Sequence, residues 1–256
     1  MQSIKFIALD MDNTLLNTKK ELTPRTANVL NQLKSQGILI VFASARPERA
    51  LHRFFSHITP HYVIANCGAD LFQNGICLHR FPIPYPTINE ILSTFLSSQH
   101  LFEYVAVETG EVLYTTYHGS EWEPGWGWVH HNFSSPIQED IIKICPGCYD
   151  DAFIRKVIAA YPSLSIHAYA GESLYTITHK EATKENNLSF LANIHGFSLE
   201  NILSFGDDDV DVGMLSSCGI GVAVSNASAS AKNAATYICP SCDEEGVAQW
   251  LETHLL

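Results

Sequence analysis

The sequence predicts an α/β fold, a doubly wound parallel sheet interrupted by an inserted α+β segment. Three observations predict it. Short apolar runs at Lys5–Leu9, Ile38–Phe42 and Tyr62–Ala65 carry no polar alternation, the pattern of strands buried on both faces. Helix-period stretches separate them, and a strand-helix-strand order implies parallel pairing. The pattern then changes after Pro82 and resumes at Lys184. The expected division is therefore a core of residues 1–81 and 183–256 and an insert of 82–182.

The elements follow in order. Lys5–Leu9 is the first strand and ends in Asp10. Thr23 is placed as an N-cap with Pro24 as first helical residue; Ala27, Leu30 and Leu33 recur at helical spacing, and Gly37 stands where a terminating glycine would. Ile38–Phe42 is the second strand, a short helix starts near Pro47, and Tyr62–Ala65 is the third strand. Inside the insert, a helix is expected over 87–96, strands near 104–107, 112–116 and 141–145, a helix over 150–160, and strands near 165–168 and 174–178. These strands alternate more, which predicts a smaller sheet with one wet face. Residues 117–131 are rich in Gly, Trp and His and read as a long loop. From Lys184 a helix carries Leu188, Leu191 and Ile194. It is followed by a strand at 202–205, a short helix to Leu215, a strand at 220–224, a helix near 229–235 and a last helix from Glu244.

Composition narrows the function. Charged residues are only 16% and hydrophobic residues 46%, so the chain has a core to bury. A net charge of -12 without a Lys/Arg cluster argues against nucleic acid and anionic membrane as partners. No stretch has the length of a membrane span, and the first residues lack a signal-peptide layout. Seven cysteines, an odd number, then predict reduced thiols and a cytoplasmic location.

The chemistry concentrates where strands end. The first strand opens into Asp10-Met-Asp12-Asn-Thr14-Leu-Leu16, the second into Ala43-Ser44-Ala45-Arg46, and the fourth into Gly206-Asp207-Asp208-Asp209-Val210-Asp211. Lys184 precedes the helix that leads into the fourth strand. An isolated Asp-x-Asp reads as a solvated turn. In an open α/β sheet, however, all of these ends face one crevice. Four aspartates within five positions repel one another and lose hydration, unless a cation offsets them. Converging carboxylates suit Mg²⁺, which takes oxygen ligands and bridges to phosphate. A carboxylate can also attack phosphorus, and a second can move the leaving-group proton. Asp208 and Asp209 read as solvated or helix-starting acids.

These segments resemble the haloacid dehalogenase superfamily, and within it the Cof-type phosphatases with a type IIB cap. The resemblance rests on Asp10–Leu16, Phe42–Pro47, Lys184 after Leu174–Thr178, and Gly206–Asp211 with Met214-Leu215. Ala65–Ala69 and Gly219–Ala227 support it. It implies a Rossmann-like core, the insert as a substrate-selecting cap, and a Mg²⁺-dependent phosphatase acting on small phosphorylated metabolites, sugar phosphates foremost. It implies Asp10 as nucleophile and metal ligand, and Asp12 as general acid/base whose backbone carbonyl also binds the metal. Asp207 is then the third ligand, and Asp211 supports the metal through water or a neighbouring group. Ser44 and Lys184 bind the phosphoryl group with backbone N–H groups of Met11 and Ala45. Two positions depart from the family pattern: Val210 replaces an Asn that reaches phosphate, and Ala45 replaces a Gly. A phosphotransferase or mutase, or a weakly catalytic sensor of phosphorylated ligands, are the alternatives on the same scaffold. The protein is expected as a monomer or homodimer.

In the insert, Trp122, Trp126 and Trp128 with His130 and His131 read either as a platform for a sugar ring or as loop packing, while Arg46 reads as a substrate contact or a tie between the two domains. Cys145-Pro-Gly-Cys148 and Cys239-Pro-Ser-Cys242 each have knuckle-like local spacing, but their separation is far too long to predict one zinc site. Free thiols are the main expectation, with a zinc shared by the two pairs and redox pairs as the alternatives.

Overall fold

The computed structural model describes residues 4–119, 125–169 and 171–256. In chain order its strands and helices are β1 Phe6–Leu9, α1 Pro24–Ser35, β2 Leu39–Ala43, α2 Glu48–Leu51, β3 Tyr62–Ala65, β4 Asp70–Gln73, β5 Ile76–Arg80, α3 Tyr85–Ser97, β6 Phe102–Tyr104, β7 Ala106–Glu108, β8 Leu113–Thr115, β9 Trp128–His130, β10 Lys143–Ile144, β11 Gly147–Cys148, α4 Asp151–Ile158, β12 Leu164–Ala168, β13 Tyr175–His179, α5 Lys184–Ile194, β14 Ile202–Gly206, α6 Val212–Ser217, β15 Ile220–Val224, α7 Ala229–Ala234, β16 Tyr237–Cys239 and α8 Gly246–His254. The chain forms two units: residues 1–46, 51–79 and 183–256, and residues 47–50 and 80–182. Among the described residues, no helix is long and apolar enough to cross a membrane.

The first unit is built on an eight-stranded sheet ordered β16-β15-β14-β1-β2-β3-β4-β5. Its members from β16 to β3 are parallel, and β4 joins β3 antiparallel. The sequence reading contained neither β4 and β5 nor β16. Both β5 and most of β16 are exposed edge strands, which lack the uninterrupted apolar run that marks a buried one. The chain winds outward from β1 in both directions, so the strand order reverses between β1 and β14. That is where an open sheet leaves a crevice. Alternate residues of β1 feed opposite cores. Ile7 and Leu9 pack in one cluster with Leu30, Leu33 and Leu251, and Phe6 and Ala8 pack in the other with Leu188, Leu191 and Met214. Thr23 caps α1 from its side chain, and Pro24 is its first residue, as the sequence predicts.

The second unit carries a sheet ordered β12-β13-β10-β7-β8-β9. Helices α3 and α4 cover one face through Ile88, Ile91, Phe95, Ile154 and Ile158. The other face is polar but not wet, which corrects the expectation. Glu108, Thr115, Lys143, Thr176 and Thr178 are all buried. Arg49 grips Glu108 with Nη1 at 2.9 Å and Nη2 at 2.7 Å and donates from Nε to the Trp126 carbonyl at 2.7 Å. Lys143 lies 5.5 Å above the Trp126 ring. These contacts draw residues 47–50 into the second unit. The loop read over 117–131 also contains a short strand, β9, parallel to β8.

Candidate active site

Asp10 and Asp207 each follow the last residues of adjacent strands, and the Asp10 N–H donates to the Phe205 carbonyl at 3.0 Å. After Asp10 the chain turns at once. Leu15 and Leu16 donate to the carbonyls of Asp10 and Met11, and Asn13 adopts a left-handed φ of 59°. Asn226 holds that turn by donating to the Asn13 carbonyl at 2.8 Å.

Lys184 is the first residue of α5, whose N-cap is Thr183. Its Nζ lies 2.6 Å from Asp10 Oδ1 and 2.5 Å from Asp211 Oδ1. The helix start can come this close because Gly68 faces it. A Cβ at Gly68 would stand 2.4 Å from the Thr183 carbonyl carbon, and its φ of +99° is left-handed. Asn187 then donates to the Gly68 carbonyl at 2.7 Å. The same loop fixes the end of β2, since Cys67 N–H donates to the Ser44 carbonyl and Asn66 N–H to the Arg46 carbonyl. Ser44 is 1% exposed, and its hydroxyl accepts from the Arg46 N–H at 3.1 Å.

Ligand oxygens of Asp10, Asp207 and Asp211 all lie within 4.8 Å of one another. Asp207 Oδ1 accepts from Thr14 Oγ1 at 2.8 Å. Asp211 is 0% exposed, and both its oxygens are engaged, Oδ1 by Lys184 and Oδ2 by the N–H groups of Asp207 and Asp208 at 3.0 and 3.1 Å. Asp211 thus shapes the loop and orients the lysine. Gly206 leaves it room, because a Cβ there would lie 2.6 Å from the Asp211 Cβ.

The Asp12 carboxylate points elsewhere. Arg46 holds it by two nitrogens, and Lys20 Nζ adds a third contact at 2.9 Å. Arg46 is thus bonded to Asp12 within the first unit.

The electrostatics follow from burial. Three carboxylates face one lysine, a deficit of two positive charges. Burial raises the Asp10 carboxyl well above the usual range; Lys184 opposes this, and Asp211 and Asp207 push the same way as burial. Burial and the Asp211 charge push Asp207 up to about 6 against Thr14 and Lys184. Burial would lower Lys184, but Asp10 and Asp211 outweigh it and keep it charged. Burial also works to raise Asp12, and the contacts from Arg46 and Lys20 outweigh it and hold it below the usual range. A divalent cation fits the cluster by these observations. The donors are oxygens only, they converge, and their excess charge equals the ion's.

Sequence reading placed Asp10, Asp12, Ser44, Lys184, Asp207 and Asp211 at one sheet edge. The structure clusters Asp10, Lys184, Asp207 and Asp211 and sets Ser44 at the end of β2, whereas the Asp12 carboxylate is turned to Arg46 and Lys20. The sequence reading assigned nothing to Thr14, although Thr14 stands inside the quoted motif. Nor did it assign Lys20, whose left-handed turn between Asn17 and Glu21 has no marked signature. Met11 is fully buried, and Ala45 and Val210 are half-buried. Trp126 and Trp128 are half-buried in the second unit, and Trp122 lies outside the described residues. All seven cysteines are free thiols. Burial raises Cys239 to about 12 and also lifts Cys242 and Cys148. Among the described residues, no group of metal-ligating side chains includes a cysteine.

The sequence pattern of the haloacid dehalogenase-like hydrolases matches residues 7–251. The chain belongs to that family. YxeH of Bacillus subtilis (strain 168) is 28% identical to this hydrolase over 266 residues, covering 95% of this chain and 96% of YxeH. The same organism's YitU, named a 5-amino-6-(5-phospho-D-ribitylamino)uracil phosphatase, is 24% identical over 97% of this chain and 96% of its own. A solved structure of a haloacid dehalogenase-like hydrolase from B. subtilis superposes with a TM-score of 0.86 at 26% identity, covering 99% of this chain and all of that one. The protein is an enzyme of this family's phosphatase type.

Proposed function

We propose that this phosphatase removes a phosphate from a small polyhydroxylated metabolite, a sugar phosphate or sugar-alcohol phosphate, through a phosphorylated Asp10, with Mg²⁺ as its metal. The observation that carries the reading is the cluster of Asp10, Asp207, Asp211 and Lys184, with its deficit of two positive charges. Asp10, Asp207 and the Asp12 carbonyl would hold the ion, and bound there it would offset phosphoryl charge.

The chain's own residues then divide the work. Lys184, the Ser44 hydroxyl and the N–H groups of Met11 and Ala45 bind the phosphoryl oxygens. An Asp10 oxygen attacks phosphorus as the bond to the ester oxygen breaks. Asp12, which Arg46 and Lys20 hold ionised before substrate arrives, takes up a proton from solvent as the substrate binds and gives it to the leaving oxygen. It then takes a proton from water, whose oxygen attacks phosphorus and releases inorganic phosphate and free Asp10. The named substrate of YitU carries its phosphate on a ribityl chain, which supports the proposed substrate class. Trp126 and Trp128, both half-buried, are the second unit's candidates for contact with a sugar face.

The test is phosphate release from a panel of phosphorylated sugars and sugar alcohols, with and without Mg²⁺, for the wild type and Asp10→Asn. Mg²⁺-dependent turnover lost in Asp10→Asn is expected. Absence of turnover by the wild type would sink the hydrolase reading of this site. A phosphorylated sugar product in place of inorganic phosphate would point to phosphoryl transfer between hydroxyls.

A further inference from the structure

The second unit brings two histidines together away from the Asp10 cluster. His130 is the last residue of β9, and β9 runs parallel to β8 with Thr115 opposite His130. Past β8 the chain is pinned by Thr116 N–H on the Val105 carbonyl and by Tyr117 N–H on the Thr115 hydroxyl at 3.0 Å. It therefore carries His118 to the end of the neighbouring strand. The two Nε2 atoms stand 3.0 Å apart, the ring centroids are 4.1 Å apart, and the planes meet at 31°. Both side chains are exposed, so water can complete the surroundings of anything held between them.

We propose that His118 and His130 form a two-imidazole site for a divalent transition ion such as Ni²⁺, Cu²⁺ or Zn²⁺. Two nitrogens bound at about 2.0–2.1 Å to one ion, at roughly a right angle, stand about 3 Å apart. That is the separation of the two ring nitrogens here. As a plain hydrogen bond the pair needs one ring protonated on Nε2 and the other on Nδ1. An ion between them takes both lone pairs at once and leaves each Nδ1–H facing outward. Imidazole selects this class of ion and discriminates against Mg²⁺, whereas the all-oxygen cluster around Asp10 has the opposite preference. The neighbouring His131 is otherwise engaged: its Nδ1 accepts from the Phe133 N–H at 3.0 Å, and its ring meets Tyr114 edge-on.

Untagged full-length protein is titrated with Ni²⁺ in excess Mg²⁺ by calorimetry, and the titration is repeated with His118→Ala, His130→Ala and His131→Ala. One saturable Ni²⁺ per chain is expected, with His131→Ala unchanged. Losing either ligand should cost at least the 10–100-fold, roughly, that disturbing a ligand's supporting partner costs. Nitrogen hyperfine structure from two imidazoles in the Cu²⁺ spectrum should reduce to one ring in either single variant. Absence of saturable binding, wild-type affinity in either His118→Ala or His130→Ala, or equal loss in His131→Ala would each overturn the site. The hydrolytic chemistry proposed at Asp10 is untouched by any of these results, since none of the three residues belongs to that cluster.

Discussion

Arg46 holds both oxygens of Asp12, with Nε on Oδ2 at 2.6 Å and Nη2 on Oδ1 at 2.7 Å. The planar fork fixes the direction of the carboxylate as well as its charge. Arg46 is 4% exposed, so the fork has little freedom to swing away. Arg46→Lys keeps the charge and loses the two-point grip. It should lower kcat by about 10- to 100-fold, the cost of misplacing a reacting group, with an unchanged melting temperature. Steady-state kinetics on an aryl phosphate beside a thermal melt would check this; wild-type kcat would refute it.

Lys184 is the only cation in contact with Asp10 and Asp211 among the bonds described. Lys184→Met leaves buried carboxylates without their counter-charge. Breaking a buried pair from one side costs about 3–5 kcal/mol. Urea unfolding of the metal-free protein should show a loss of that order, and Mg²⁺ should recover part of it. A metal-free variant as stable as the wild type would show that the lysine does not hold the cluster together.

Asp207 gives the protein a pH dependence with a definite sign. Its carboxyl stands at about 6 in the folded chain, against about 3.9 unfolded. The folded state therefore binds the extra proton, and this stabilisation is complete below about pH 3.9 and lost as pH rises through about 6. A cation prefers the ionised carboxylate, so it should restore more stability where the proton has left. Thermal melts at about pH 5 and pH 7 should show the larger Mg²⁺ gain at the higher pH. The difference should shrink in Asp207→Asn. Equal gains at both values in the wild type would count against the cluster as the metal site.

Gly68 carries the packing of α5 against the loop after β3. Gly68→Ala meets the Thr183 backbone and a left-handed φ together. Backbone strain of about 1–3 kcal/mol and overpacking of about 1–3 kcal/mol both apply. A loss of roughly 2–4 kcal/mol in urea unfolding is expected, with activity lost in step as Lys184 is displaced. Gly37→Ala, at a left-handed site with open space around it, should cost less.

The core strands and the polar groups at their ends were legible in the sequence because burial on both faces demands unbroken apolar runs, and an acid straight after such a run stands out. Thr23-Pro24 was legible for a similar reason, since capping is a local interaction. The edge strands β5 and β16, and the short β4 between β3 and β5, were not. The exposed positions of β5 and β16 carry no periodic signal, and the pairing of all three is decided by what lies beside them. The same holds for Lys20 on Asp12, Thr14 on Asp207 and Arg49 on Glu108, contacts between residues up to 193 positions apart.

By itself the sequence determined the fold class and the list of acids, hydroxyl and lysine at the sheet edge, because strand periodicity and strand-end chemistry are local. Only the tertiary structure decided which of those acids converge within 4.8 Å of one another and which is held by arginine. Charge neutralisation in a buried crevice depends on distances across the chain, and the order of residues along it does not specify those distances.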